Sequence, residues 1–218
     1  EIHPDLPAKV SSVGLASNLA QCDLLGSAGM RGERWSFVMR TPLDDLPPTP
    51  PVPNGYGLRT YDQSMAETFR ATHNRAFLDH PNFTPWSEIT WKQFVTKSRS
   101  FRPRLSFVVV PDGSDEIVAY LQTAEFDADL KATGRREAYV AKIGTVRERR
   151  GNGLATALLG YCLQAYADAG YDQAALSVDS ENPTGALGVY ERAGFKVESR
   201  WTNYFLMVPP DPGFAPPP

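Results

Sequence analysis

An apolar run that ends in a basic, glycine-bearing turn and restarts as an amphipathic helix constrains this chain more than any other stretch. Residues 138–146 (A-Y-V-A-K-I-G-T-V) have the content of a strand, and R-E-R-R-G-N-G follows at 147–153. Leu154, Leu158, Leu159, Cys162, Leu163 and Tyr166 then share one helical face. The first N–H groups of a helix have no partner in the helix and point outward, and the helix dipole adds partial positive charge there. Gly151 and Gly153 let a bulky anion approach the main chain, so the turn reads as a phosphate cradle.

Composition narrows what the phosphate can belong to. The net charge of −3 over 218 residues gives no basic surface for nucleic acid, and Arg147, Arg149 and Arg150 form a cluster suited to a small anion. No apolar run reaches the ~18 residues that span a membrane, and no signal peptide is visible. The two cysteines, Cys22 and Cys162, make no disulfide framework and point to a reducing cytoplasm. No metal-ligand set is assigned.

Along the chain, residues 1–20 pattern weakly, a helix is expected from Leu15 to Ser27 with Gly29 as its cap, and Trp35 to Met39 reads as a strand. Residues 42–53 carry six prolines (P-L-D-D-L-P-P-T-P-P-V-P), an extended linker and the expected domain boundary. Beyond it come a strand at Gly57 to Tyr61, a helix capped by Ser64, and a second helix from Ser87 or Thr90. Strands follow at Leu105 to Val110 and Ile117 to Phe126, then a charged loop from Asp127 to Arg136 and the strand–turn–helix already described. Ala174 to Val178, a short helix opened by Asn182-Pro183 and closed by Gly194, and one or two strands from Phe195 to Met207 complete the pattern. The tail from Pro209 to Pro218 reads as disordered.

Ala28-Gly29-Met30 followed by Trp35 echoes Ala193-Gly194-Phe195 followed by Trp201. With a start at Glu1 rather than Met, this repeat predicts that residues 1–41 are the end of a first domain. Residues 55–208 are then a second, complete one.

Two motifs carry a resemblance. Arg150-Gly151-Asn152-Gly153-Leu154-Ala155 fits Q/R-x-x-G-x-G/A, and thirty residues on Asn182-Pro183-Thr184-Gly185-Ala186 leads into Tyr190 and Gly194-Phe195. Together they resemble the GNAT acyl-CoA N-acyltransferase superfamily over residues 55–208, and the linker and repeat resemble actinobacterial tandem GNAT proteins, the group that includes mycothiol synthase. The resemblance implies a mixed α/β fold, a central twisted sheet of six to seven strands flanked by about four helices. It implies acetyl-CoA as co-substrate, its pyrophosphate on Arg150, Gly151, Asn152, Gly153, Leu154, Ala155 and Thr156, and its pantetheine arm along Ile143, Gly144, Thr145 and Val146. Asn182, which also suits a helix cap, gains a contact near the pantetheine, and Tyr190, which also suits a core position beside Leu187, becomes the general acid that protonates the leaving thiolate.

A base must deprotonate the attacking amine, and Glu137 or Glu125 at strand ends are the carboxylates in place, with His73 and His80 behind them. The acceptor is a small-molecule or peptide amine, and the protein a monomer or homodimer. One rival is a domain that holds acyl-CoA without turnover. A nucleotide enzyme is disfavoured, because no Walker lysine follows the glycines.

Overall fold

The computed structural model describes residues 7–80, 83–180 and 185–210. Contacts divide these into two units: a larger one of residues 39–177 and 185–196, and a smaller one of residues 7–38, 178–180 and 197–210.

The larger unit contains β3 (Tyr56–Thr60), α2 (Ala66–Phe77), α3 (Glu88–Trp91), β4 (Phe107–Pro111), β5 (Ala119–Ala124), α4 (Asp127–Thr133), β6 (Glu137–Thr145), α5 (Leu154–Asp168), β7 (Gln173–Asp179, whose last two residues fall in the smaller unit) and α6 (Ala186–Arg192). Its strands lie in the order β7-β6-β5-β4-β3, with β6 and β7 parallel and the other neighbours antiparallel. Successive residues of a strand face opposite sides, and β5 shows it. The Tyr120 hydroxyl meets His73 on α2 at 2.5 Å, while Thr123 Oγ1 meets the Tyr166 hydroxyl on α5 at 2.6 Å. Helices α2 and α5 therefore cover the two faces.

On the α2 face the core is aromatic. Phe69 is fully buried, with the rings of Tyr120, Tyr61 and Trp91 at 4.8, 5.1 and 5.5 Å. On the other face Leu154, Leu158, Leu159, Cys162, Leu163 and Tyr166 are all buried, the stripe read from the sequence.

The smaller unit contains β1 (Ala8–Leu15), α1 (Leu19–Ser27), the first part of β2 (Arg31–Pro42) and most of β8 (Lys196–Val208). β1 runs antiparallel to β8 from Ala8↔Val208 to Leu15↔Trp201, and β8 lies between β1 and β2. β8 is a single strand of 13 residues.

Between residues 55 and 208 the described fold has the six strands expected and five helices rather than four. The extra one is α4, read from the sequence as a charged loop. Asp127 and Asp129 in its first turn suit the helix dipole, and Gly134 at φ 70° ends it. Three local readings are corrected. Residues 8–15 form a strand whose pattern is weak because most of its side chains are exposed. Helix α1 starts after Asn18, whose Oδ1 accepts from Gln21 N, and not at Leu15. The turn before α2 is capped by Asp62, which accepts from both Ser64 N and Ser64 Oγ, rather than by Ser64. The calls on Asn182-Pro183 and on the tail beyond residue 210 lie outside the described residues.

Candidate active site

The site begins where two parallel strands part. β6 and β7 pair from Glu137↔Gln173 to Val140↔Leu176 and no further, although β6 runs on to Thr145. A register shift between Gln122 and Thr123 on β5, opposite residues 140–142 of β6, marks a bulge at the same level, and a bulge bends a strand and increases its twist. Beyond Val140, β6 therefore has β5 on one edge and an open edge on the other. Ile143, Gly144 and Thr145 sit there opposite Leu121, Tyr120 and Ala119, and Val146 N donates to Val118 O at 2.9 Å. An extended amide chain can pair with such an edge. The hydroxyl Oγ1 of Thr145 is buried and has no hydrogen-bond partner among the described residues.

After Thr145 the chain makes a 3-10 turn at Arg147–Arg149, then passes through Gly151 (φ 79°) and Gly153 (φ 77°) into α5. Asn152 Nδ2 donates to Arg149 O at 3.1 Å and braces the turn. Ala157 N makes the first helical bond of α5, to Gly153 O. The backbone N–H groups of Gly151, Asn152, Gly153, Leu154, Ala155 and Thr156 find no acceptor among the described residues. Six unpartnered donors at a helix start, after a strand that carries the orphaned Thr145 hydroxyl, fit a pyrophosphate followed by an amide chain.

Arg150 Nη1 donates to Asp79 Oδ2 at 2.7 Å, Nη2 to Ala76 O at 2.8 Å and Nε to Thr145 O at 3.2 Å, so it ties the end of α2 to the end of β6 and keeps one N–H on each terminal nitrogen. Arg147 shares Asp79. Arg149 is exposed, with no ion pair among the described residues, and is a further cation of the turn able to meet an anion.

Glu125, one of the two strand-end carboxylates, is held by three donors. Its carboxylate accepts from Arg102 Nε at 2.7 Å, Arg136 Nε at 2.9 Å and the Tyr171 hydroxyl at 2.7 Å. Burial alone would raise its pKa, but those donors hold it down at about 2, too weak a base for an ammonium. It is a structural anion. Its folded pKa lies below the ordinary 4.5, so its contribution to stability is complete above about pH 4.5 and is lost as the pH falls toward 2. Glu125→Gln should cost on the order of 2 kcal/mol in urea unfolding at pH 7, with the deficit shrinking at pH 3.

Glu137 is different. Only 8% exposed, it gives Oε2 to Arg40 Nε at 2.6 Å and to Gln173 Nε2 at 2.7 Å, while no donor among the described residues meets Oε1. The pair fixes the carboxylate at the closed end of the parting strands and leaves one oxygen for a water. His73 is buried and neutral, its pKa depressed to about 3 chiefly by burial and next by the Lys142 charge. His80 stacks on Phe77 at 4.7 Å.

Tyr190 on α6 is 7% exposed, and burial pushes its phenol up to about 12. Its hydroxyl has no hydrogen-bond partner among the described residues. The phenol is protonated throughout the neutral range and no described residue holds its hydroxyl, so it has a proton to give. The sequence read it also as a core tyrosine, and the ring does pack near Phe195, at 6.2 Å. Asn182 lies outside the described residues. Among the described residues no helix is long and apolar enough to cross a membrane, and no group of three or more His, Cys, Asp or Glu could hold a metal ion.

Known proteins are similar to this chain. A mycothiol acetyltransferase of Thermobispora bispora is 34% identical over 202 residues, 92% of this chain and 61% of the relative. One from Tsukamurella paurometabola is 31% identical over 81% of the chain. The chain thus spans about three-fifths of the length of these relatives. A GCN5-related N-acetyltransferase of Sphaerobacter thermophilus superposes with a TM-score of 0.76 at 27% identity, covering 94% of this chain and 62% of that one. A tandem GNAT protein from the clavulanic acid pathway shares the fold at a TM-score of 0.66. The Acetyltransferase (GNAT) family matches residues 63–195, so with the parted strands and the donor-rich turn the chain belongs to the GNAT family of acetyltransferases.

Proposed function

We propose that this chain binds acetyl-CoA and transfers its acetyl group to an amine by direct attack, without a covalent enzyme intermediate. The observation that carries the reading is the run of unpartnered N–H groups from Gly151 to Thr156 at the end of an open-edged strand. Acetyl-CoA supplies the activated thioester. The open edge of β6 at Ile143, Gly144, Thr145 and Val146 holds the pantetheine arm, and Gly151, Asn152, Gly153, Leu154, Ala155 and Thr156 hold the pyrophosphate, with Arg149 and Arg150 as the neighbouring cations. Glu137, through a water on Oε1, takes the proton of the amine, and Tyr190 protonates the departing sulfur.

The relatives are named mycothiol acetyltransferases, which puts their acceptor among the amines to try against this chain. We assign residues 1–41 to the end of a preceding GNAT-like domain. The helix–glycine–strand repeat supports it, with Gly29 at φ 80° and Gly194 at φ 93° in equivalent turns, as does the partial cover of the relatives.

The test is calorimetric. Gly153→Val places a β-branched residue at φ 77°, where it is strained by about 1–2 kcal/mol, and re-aims the amides of the turn. Its Cβ meets nothing closer than Pro53 Cγ at 3.9 Å, so the fold survives. Acetyl-CoA affinity should drop at least tenfold with an unchanged circular dichroism spectrum; unaltered affinity removes the cradle. A domain that binds acyl-CoA without turnover predicts the same affinity loss but no release of free thiol with any amine.

A further inference from the structure

Two polar side chains on the α2 face make no hydrogen bond or ion pair among the described residues. Gln122 lies two residues along β5 from Tyr120, so it shares the face whose Tyr120 hydroxyl meets His73. It is 4% exposed, and its Oε1 is buried with no hydrogen-bond partner among the described residues. Directly opposite it on β6 is Lys142, on the segment that β7 no longer pairs. Cross-strand partners have Cβ atoms about 5 Å apart, close enough to grip one small ligand.

The Lys142 ammonium sits over the Trp86 ring at 4.5 Å, with no carboxylate within ion-pair distance among the described residues. The nearby acids are committed elsewhere: Glu137 to Arg40, Glu125 to Arg102 and Arg136, Asp79 to Arg147 and Arg150. Burial without a counter-ion lowers the Lys142 pKa, and the Lys142 charge in turn disfavours protonation of His73. A half-buried cation that has an aromatic face but no counter-ion, and a buried amide oxygen with no donor, each carry a desolvation cost that a ligand can offset.

Resting on the acyltransferase reading above, we infer that Gln122 and Lys142 form the acceptor's anchoring subsite, and that the acceptor amine carries an acidic group, a carboxylate or a phosphate. Lys142 takes the acidic oxygens and the Gln122 amide takes a polar group beside them. The anchor hangs from the strand that holds the pantetheine arm.

Matched amines test it: O-phosphoethanolamine against ethanolamine, and β-alanine against n-propylamine. Their binding to the CoA-saturated chain is measured by calorimetry, and their turnover by thiol release from acetyl-CoA. The acid-bearing member of at least one pair should bind or react at least tenfold better. That preference should fall to within twofold in Lys142→Met and Lys142→Gln, with acetyl-CoA affinity unchanged. Gln122→Leu should weaken O-phosphoethanolamine and ethanolamine alike, because both keep an oxygen for the amide, and should leave β-alanine and n-propylamine unchanged. Equal behaviour within each pair, no binding or turnover of any of the four amines, or a loss of acetyl-CoA affinity in the Lys142 variants overturns the inference. Failure of the wild-type chain to bind acetyl-CoA overturns the acyltransferase reading instead. Phosphate preference without carboxylate preference identifies the acid as a phosphate, and the converse as a carboxylate.

Discussion

Tyr190→Phe is expected to lower kcat by 10²- to 10³-fold and to leave acetyl-CoA affinity and thermal stability within error of the wild type. The separation follows from the geometry. The ring is buried and packs near Phe195, so phenylalanine keeps the contacts. The hydroxyl makes no hydrogen bond among the described residues, so removing it leaves no orphaned partner and no structural bond is lost. What disappears is one proton donor, and general acids contribute about 10²–10⁴-fold. A 10³-fold loss corresponds to about 4 kcal/mol in the barrier.

The pH profile adds a second check. Burial holds the phenol at about 12, so it stays protonated up to pH 10 and should produce no alkaline fall in rate below that. Stopped-flow measurement of a single turnover keeps slow product release from masking the chemical step. An unaltered kcat makes Tyr190 a core residue only, and a loss of stability matching the loss of rate says the same.

The sequence showed the turn and the helix of this arrangement because their parts are local. The stripe from Leu154 to Tyr166 and the glycines at 151 and 153 are neighbours in the chain, and both have the geometry their pattern required. The partners of charged groups are not local. Arg150 meets Asp79 across 71 positions, and Glu137 meets Arg40 across 97, so no spacing rule could show the brace or separate a free carboxylate from a paired one. Glu125 and Glu137 looked alike as strand-end acids, and the difference between them is three donors on one and an unused oxygen on the other. The strand at Ala8–Leu15 escaped for a different reason. Its inward positions are scarcely buried, so the alternation that marks a strand was never written into it. Helix α4 escaped because seven residues with three charges look like a loop unless the αL glycine at 134 is counted as a stop.

Gly144→Val is expected to be the most damaging single change to the fold, costing about 3 kcal/mol or more in urea unfolding, with Gly144→Ala already costing about 1–3 kcal/mol. A Cβ at position 144 would stand 2.9 Å from Tyr120 Cε1, 3.0 Å from Ala76 Cβ and 3.2 Å from Phe77 Cε2. None of these can step aside cheaply. Tyr120 is held at its hydroxyl by His73 and at its ring by Phe69, and Ala76 Cβ moves only if α2 moves. If α2 shifts outward, Arg150 loses Ala76 O and Asp79, the contacts that hold the end of β6 and the turn in place. Overpacking at one glycine therefore reaches the donor site, and the surviving folded fraction of Gly144→Ala should bind acetyl-CoA more weakly than wild type.

The double variant Gly144→Ala/Ala76→Gly separates the causes. It removes the 3.0 Å contact with Ala76 Cβ and leaves those with Tyr120 and Phe77; although glycine inside a helix costs about 1 kcal/mol, it should be more stable than the sum of its single changes predicts, a coupling expected only of side chains in contact. Strict additivity of the two changes would mean that α2 and β6 are not packed at this point.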